Sequence, residues 1–231
     1  MLKRILVTAL AAGLGAGVFV SLVQMMGVHP LIIEAETYEA AAPAEAAAAQ
    51  SENGESGENG ANGMPSWAPG DGIERTSYTV LANMLTGFGF ALLLSAALAL
   101  HGRPVDWRRG LVWGLAGFAV FGLAPALGLP PEPPGVEAAP LAERQLWWLG
   151  TAAATALGLG LIAFAPRRLL KAVGAIVLIL PHAVGAPELE AHGGAVPQDL
   201  VQAFWVASLA ATALFWLVLG GLAGFLYPRL A

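Results

Sequence analysis

Six runs of apolar residues, 5–26, 78–100, 111–129, 146–165, 169–186 and 203–227, are separated by polar stretches, most of them short. Each run is close to the roughly 20 residues that cross about 30 Å of hydrocarbon at 1.5 Å per residue. Lys171, in the opening turn of the fifth, is the one Asp, Glu, Lys or Arg inside any of them. Helices that are apolar on every side are membrane spans or deeply buried, not surface helices. The pattern predicts an all-α integral membrane protein of about six transmembrane helices. Five is the alternative if the fifth run, short before Pro181, does not cross.

Charge sharpens this into a topology. With the N-terminus placed in the cytoplasm, Lys3 and Arg4, Arg103, Arg108 and Arg109, Arg167, Arg168 and Lys171, and Arg229 all fall inside. Only Arg75 and Arg144 fall outside, so every inner loop obeys the positive-inside rule. Every carboxylate except Asp106 is then extracytoplasmic, and both termini are cytoplasmic. A five-span chain would expose either the 167–171 cluster or Arg229. Lys3 and Arg4 before an apolar run also describe a secretory signal. The run of about 22 residues exceeds the usual apolar region of about 7 to 15, however, and no small-x-small site closes it at Met25, Met26 and Gly27. A retained helix is expected.

Composition agrees: 57% of residues are apolar and 12% charged, and the mean hydropathy is +0.67. That is more apolar surface than a soluble chain of this size buries. The pI near 5.3 reflects the outer loops and argues against nucleic acid as a partner; the lipid bilayer is the expected one. The organisation is therefore a first span at 1–29, an acidic extracytoplasmic loop at 30–77, and a five-helix membrane domain at 78–231. Within the loop, 40–65 is Ala/Pro/Glu and then Asn/Gly/Glu/Ser with almost no large apolar residue, which predicts a largely disordered tether. Residues 31–38, LIIEAETY, are read instead as an extension of the first helix towards the headgroups.

Small residues recur at four-residue spacing, as Gly13 and Gly17, Gly110 and Gly114, Gly220 and Gly224, the spacing that lets membrane helices approach closely. The stretch GLAGF occurs twice, from Gly114 and from Gly221, in the third and sixth runs, which point in opposite directions. Inverted three-plus-three repeats are a common transporter plan. Thr151 with Thr155 and Ser208 with Thr212 mark polar stripes suited to interhelical hydrogen bonds.

One ionisable group other than Lys171 lies at membrane depth. His182, in LPHAVGAPELEAHGG, is about 21 Å along a straight helix from Arg168, in the outer third of the bilayer. Pro181 before it has no N–H and clashes with the Val177 carbonyl, so a kink or break is expected there, with Gly185 and Pro187 ending the helix. Glu188, Glu190 and His192 follow. Two imidazoles and two carboxylates in an outer turn form a ligand set for borderline divalent cations. His29, at the matching end of the first span, precedes Glu34, Glu36 and Glu39. A histidine after a proline at a helix end is more often a hydrogen-bonded capping or interface residue than a ligand, and a solvated helical extension accounts for the second pattern at least equally.

Several chemistries are disfavoured. The chain has no cysteine, which removes disulfides and thiolate metal sites together. Neither lysine follows a glycine-rich loop, no HExxH or GxSxG occurs, and helix serines lack a neighbouring base. An enzyme is not expected, nor a permanently bound cofactor.

The stretches MLKRILVTALAAGLGAGVFVSLVQ, PLIIEAETYE, WAPGDGIERTSYTVLANMLTGFGFALLL, GLPPEPPG, ERQLWWLGTAAATALGLGLIAFAP and LPHAVGAPELEAHGGAVPQDLVQAFWVASLAATALFWLVLGGLAGFLY together resemble the CbtA family, predicted cobalt transporter subunits. The resemblance covers nearly the whole chain outside 40–63. It implies a multi-pass protein of the bacterial inner membrane, cobalamin-linked cobalt(II) uptake, and a small histidine-bearing membrane partner, CbtB; a homo-oligomer is compatible. Relatives are often described with five spans and with a histidine-rich first outer loop. Here that loop has no histidine between His29 and His101. The resulting expectation is a cobalt-uptake subunit with His182, Glu188 and His192 as its outer site and His29, Glu34 and Glu36 as partners. Its alternative is a non-transporting assembly or metal-sensing subunit that acts with another pore.

Overall fold

A computed structural model describes residues 1–52, 69–187 and 195–230. The fold is all-helical: α1 (Leu2–Gly27), α2 (His29–Glu52), α3 (Ile73–His101), α4 (Trp107–Ala126), α5 (Leu141–Phe164), α6 (Arg168–Val184) and α7 (Gln198–Leu226). Five of these, α1, α3, α4, α5 and α7, are long and apolar enough to cross a membrane. The helix from the fifth apolar run, α6, has 17 residues. At 1.5 Å per residue that is about 26 Å, slightly short of a 30 Å core.

The helices associate as antiparallel pairs, and glycine sets each contact. A Cβ on Gly13 would stand 2.6 Å from the Phe88 Cα, and one on Gly17 2.6 Å from the Met84 Cα, so α1 and α3 touch backbone to backbone. At the α4–α7 crossing, a Cβ on Gly220 would lie 2.7 Å from the Gly114 Cα, and one on Gly224 2.7 Å from the Gly110 Cα. A Cβ on either Gly158 or Gly174 would meet the other's carbonyl at 2.7 Å, which joins α5 to α6. Such approach maximises dispersion where lipid supplies no hydrophobic drive between helices. The buried centre lies among α1, α3 and α7, with Ala9, Ala12, Ala16, Leu98, Leu219 and Ala223 almost inaccessible.

The pairing runs α1 with α3, α5 with α6, and α4 with α7, the pattern that a three-plus-three inverted arrangement of the six apolar runs would produce. The two GLAGF stretches lie on the α4–α7 pair, although there Gly114 meets Gly220 and not Gly221.

All the basic clusters gather at one end of the bundle. Arg4 of α1 donates to the Tyr227 carbonyl and stacks on its ring, and His101, closing α3, packs against Trp113 of α4 and Phe164 of α5. At the opposite end His182 of α6 meets Trp147 of α5. The short helix α6 thus extends from the basic end towards the opposite one, beside α5.

One element departs from the sequence reading, and at a second, where a kink or break is expected, the helix continues. The helix α2 continues to Glu52, where a disordered tether is expected from residue 40. Alanine and glutamate are strong helix formers, and a composition too polar for a core still permits a helix. The rest of that tether, 53–65, lies outside the described residues. At Pro181 the helix does not break: α6 passes through it and ends at Gly185, whose φ of +89° suits glycine. A proline four residues before the cap removes one ladder bond, and the last turn re-forms through the bond from the Gly185 N–H to the Pro181 carbonyl at 3.1 Å.

A further irregularity has no counterpart in the sequence reading. Residues Ala119–Leu123 form a π turn within α4, directly before Pro125. Pro125 cannot donate to the carbonyl of Phe121, and the wide turn absorbs that defect.

Candidate metal-capture face

The end opposite the basic clusters is crossed by α2. Val28 links α1 to α2, Ile32 reaches the wall of an outer cavity, and a Cβ on Gly135 would stand 3.2 Å from the Glu39 Cβ. One ion pair pins this helix to the start of α3. The two terminal guanidinium nitrogens of Arg75, Nη1 and Nη2, donate to the two oxygens of Glu36, the Nη1 bond being 3.0 Å, and Asp71 lies 3.6 Å from Nη1. The bidentate bond from Arg75 holds the Glu36 carboxyl below the usual carboxylate range, with a smaller attraction from His29.

Beneath α2, Asn83 of α3 donates to the Ser21 hydroxyl at 3.0 Å and to the Gln24 amide oxygen at 2.7 Å. Ser21 and Gln24 border a cavity of about 420 Å³ that His29, Arg75 and Thr79 also line. Glu34 stands exposed, and its backbone carbonyl accepts from Thr37. A larger cavity of about 960 Å³ lies under the proline-rich 130–134 turn, between α4, α5 and α7. Glu132 and Arg144 face each other across it at 3.9 Å.

Arg75 and Arg144 are the two cations on this acidic end, and each is matched by a carboxylate. At the other end arginines bond instead to carbonyls and rings: Arg109 to Pro104, Arg229 to Phe225, Arg108 over Trp107. The one acid there, Asp106, caps α4 by accepting from the Arg109 amide at 2.8 Å. The two ends therefore keep opposite fields.

Of the sequence-predicted site residues, His29, Glu34 and Glu36 share α2, while His182 stands on α6. The His182 ring is half-buried, 6.0 Å from Trp147 edge-on, and has no hydrogen-bond partner among the described residues. Glu188 and His192 lie outside the described residues. Among the described residues no three of His, Asp and Glu gather closely enough to hold a metal ion. The Glu36–Arg75 pair escaped the sequence reading, which placed Arg75 as an exception to the charge rule without asking what neutralises it. That question was its signal.

Opposed fields on a bundle of membrane-length helices define a multi-pass membrane protein. The chain belongs to the CbtA family: the family model described as probable cobalt transporter subunit (CbtA) matches residues 2–228. No curated protein and no solved structure matches the chain.

Proposed function

We propose that this subunit captures cobalt(II), or a similar divalent cation, on its acidic face and passes it towards the basic end, which faces the cytoplasm of a bacterium. His182, Glu188 and His192 form the capture site, with His29, Glu34 and Glu36 as partners. The observation that carries this reading is the His182 imidazole, without a hydrogen-bond partner among the described residues, on a face whose two arginines are both neutralised by carboxylates. The surplus acid raises the local concentration of cations, and imidazole selects cobalt, nickel or zinc over magnesium or calcium. Glu36 is committed to Arg75 and joins a metal only when that pair opens. The positive-inside rule orients the chain.

A second reading, a metal-gathering or assembly subunit that delivers to another pore, is favoured by one observation. The fully buried polar side chains among the described residues are hydroxyls, Thr8, Ser21, Ser95, Thr151 and Thr155, with no carboxylate or imidazole among them. The test is radioactive cobalt(II) uptake in metal-depleted cells that carry this chain and a small histidine-bearing membrane subunit. Uptake above cells with the small subunit alone, reduced several-fold by His182→Ala at limiting cobalt, is expected. No gain over that control would overturn transport. A gain untouched by His182→Ala would remove the capture site.

A further inference from the structure

Between α3, α4 and α5, at the basic end, lies a cavity of about 470 Å³ that the metal reading does not use. Its walls are apolar: Leu93 and Ala97 of α3, Val112 and Ala116 of α4, Leu159 and Ala163 of α5. Trp216 of α7 forms part of its wall. Its polar members are His101 and Arg109, both where the chain leaves the bundle. We propose that this cleft holds one acyl chain of an anionic phospholipid, with the phosphate on Arg109.

Three observations select that occupant. The helices that form the cleft are themselves of membrane length, so the medium available to fill it is lipid. Its extent along α4, from Arg109 to Phe121, is about 18 Å at 1.5 Å per residue, near the roughly 15 Å depth of one leaflet's hydrocarbon. Charge is complementary as well. The Arg109 guanidinium is exposed, steadied by one bond from Nη1 to the Pro104 carbonyl at 2.7 Å, and has no carboxylate partner among the described residues. Its other donors are open to a phosphate, with Arg108 beside it at the start of α4 and Arg103 in the preceding connection. Basic pockets between spans on the cytoplasmic side bind anionic headgroups in this manner. His101, bracketed by Trp113 and Phe164 at 5.5 Å, forms the step between headgroup and tail.

Gly160 borders the cleft, and a Cβ there meets nothing within 4 Å, so a larger residue fills the space without displacing a helix. Trp113, also in the wall, supplies the readout, taken as the fluorescence difference between the protein and Trp113→Phe. In vesicles, phosphatidylglycerol brominated on its acyl chain should quench this signal at about fivefold lower mole fraction than brominated phosphatidylcholine, the weight of one arginine at an anionic surface. Arg109→Gln should equalise the two lipids, and Gly160→Leu should abolish quenching by both while the melting temperature holds. Ala163→Leu serves in its place should that variant fail to fold. Equal quenching by the two lipids in the unaltered protein would reduce the cleft to ordinary bilayer contact and overturn the proposal. An absence of quenching would mean that protein, such as a second copy of the chain, fills it, and would overturn it too.

Discussion

At the residue scale, glycines divide into those that hold helices together and those that face open space. A methyl group on Gly220 must push against the Gly114 backbone at 2.7 Å, and neither backbone can rotate away. Gly220→Ala is therefore expected to cost about 1 to 3 kcal/mol, the usual range for overpacking. Gly150→Ala, where nothing lies within 4 Å, should be neutral or slightly stabilising. Thermal melts of the two variants in one detergent check this, and equal melting points would show that close approach is not what the glycines provide. The Glu36–Arg75 pair makes a different prediction. Its carboxyl is lowered in the folded chain, so its contribution is fully present above the unfolded value and is lost as pH falls through the folded one. Docking of α2 should hold throughout the neutral range and loosen only below the ordinary carboxylate range. Both partners are about a third exposed, so the pair is worth no more than about 1 kcal/mol. Hydrogen exchange over residues 29–40 at neutral pH should rise in Glu36→Gln; unchanged protection would mean that α2 is held by other contacts.

At the scale of elements, the hydrophobic runs and the charge between them made most of the bundle legible before any coordinates. Apolar length and cationic ends are local properties, read one segment at a time. The glycine contacts of α1, α4 and α7 were visible through four-residue spacing. Those of α5 and α6 were not, because Gly158 and Gly174 each contribute a single residue and only their apposition gives them meaning. Gly87 is hidden similarly, two residues from Gly89, although with Ala91 and Ser95 it forms a buried small-residue stripe. The π turn depends on backbone geometry near Pro125 and leaves no compositional trace. The extent of α2 was missed because low apolar content was read as disorder, whereas helix formation by Ala and Glu answers to propensity. The short α6 carries the open question of crossing, and the absence of cysteine makes it accessible to labelling. Pro166→Cys should react with an impermeant thiol reagent only from the cytoplasmic side, and Val184→Cys, at the far end of α6, only from outside. Reaction of both from one side would show that α6 returns without crossing.

At the scale of the whole molecule, the two ends carry opposite charge because the few exceptions are neutralised where they stand: Arg75 and Arg144 by carboxylates, Asp106 by its role as a helix cap. The candidate site was legible only as a set of residue types. His182 and the α2 group come from segments far apart in sequence and do not gather among the described residues, and whether such segments approach depends on the path of the connecting chain, which composition does not encode. The fully buried polar side chains among the described residues are hydroxyls, with no carboxylate among them to pass a metal across the buried centre. Transport and metal gathering differ on this point, and flux in a sealed system separates them most directly. Proteoliposomes that hold this chain and the small histidine-bearing subunit should accumulate radioactive cobalt(II) in their lumen faster than vesicles with the small subunit alone, with the gain reduced several-fold by His182→Ala. Cobalt held on the outer surface, with none entering the lumen beyond that control, would contradict transport and identify a subunit that gathers metal for another pore.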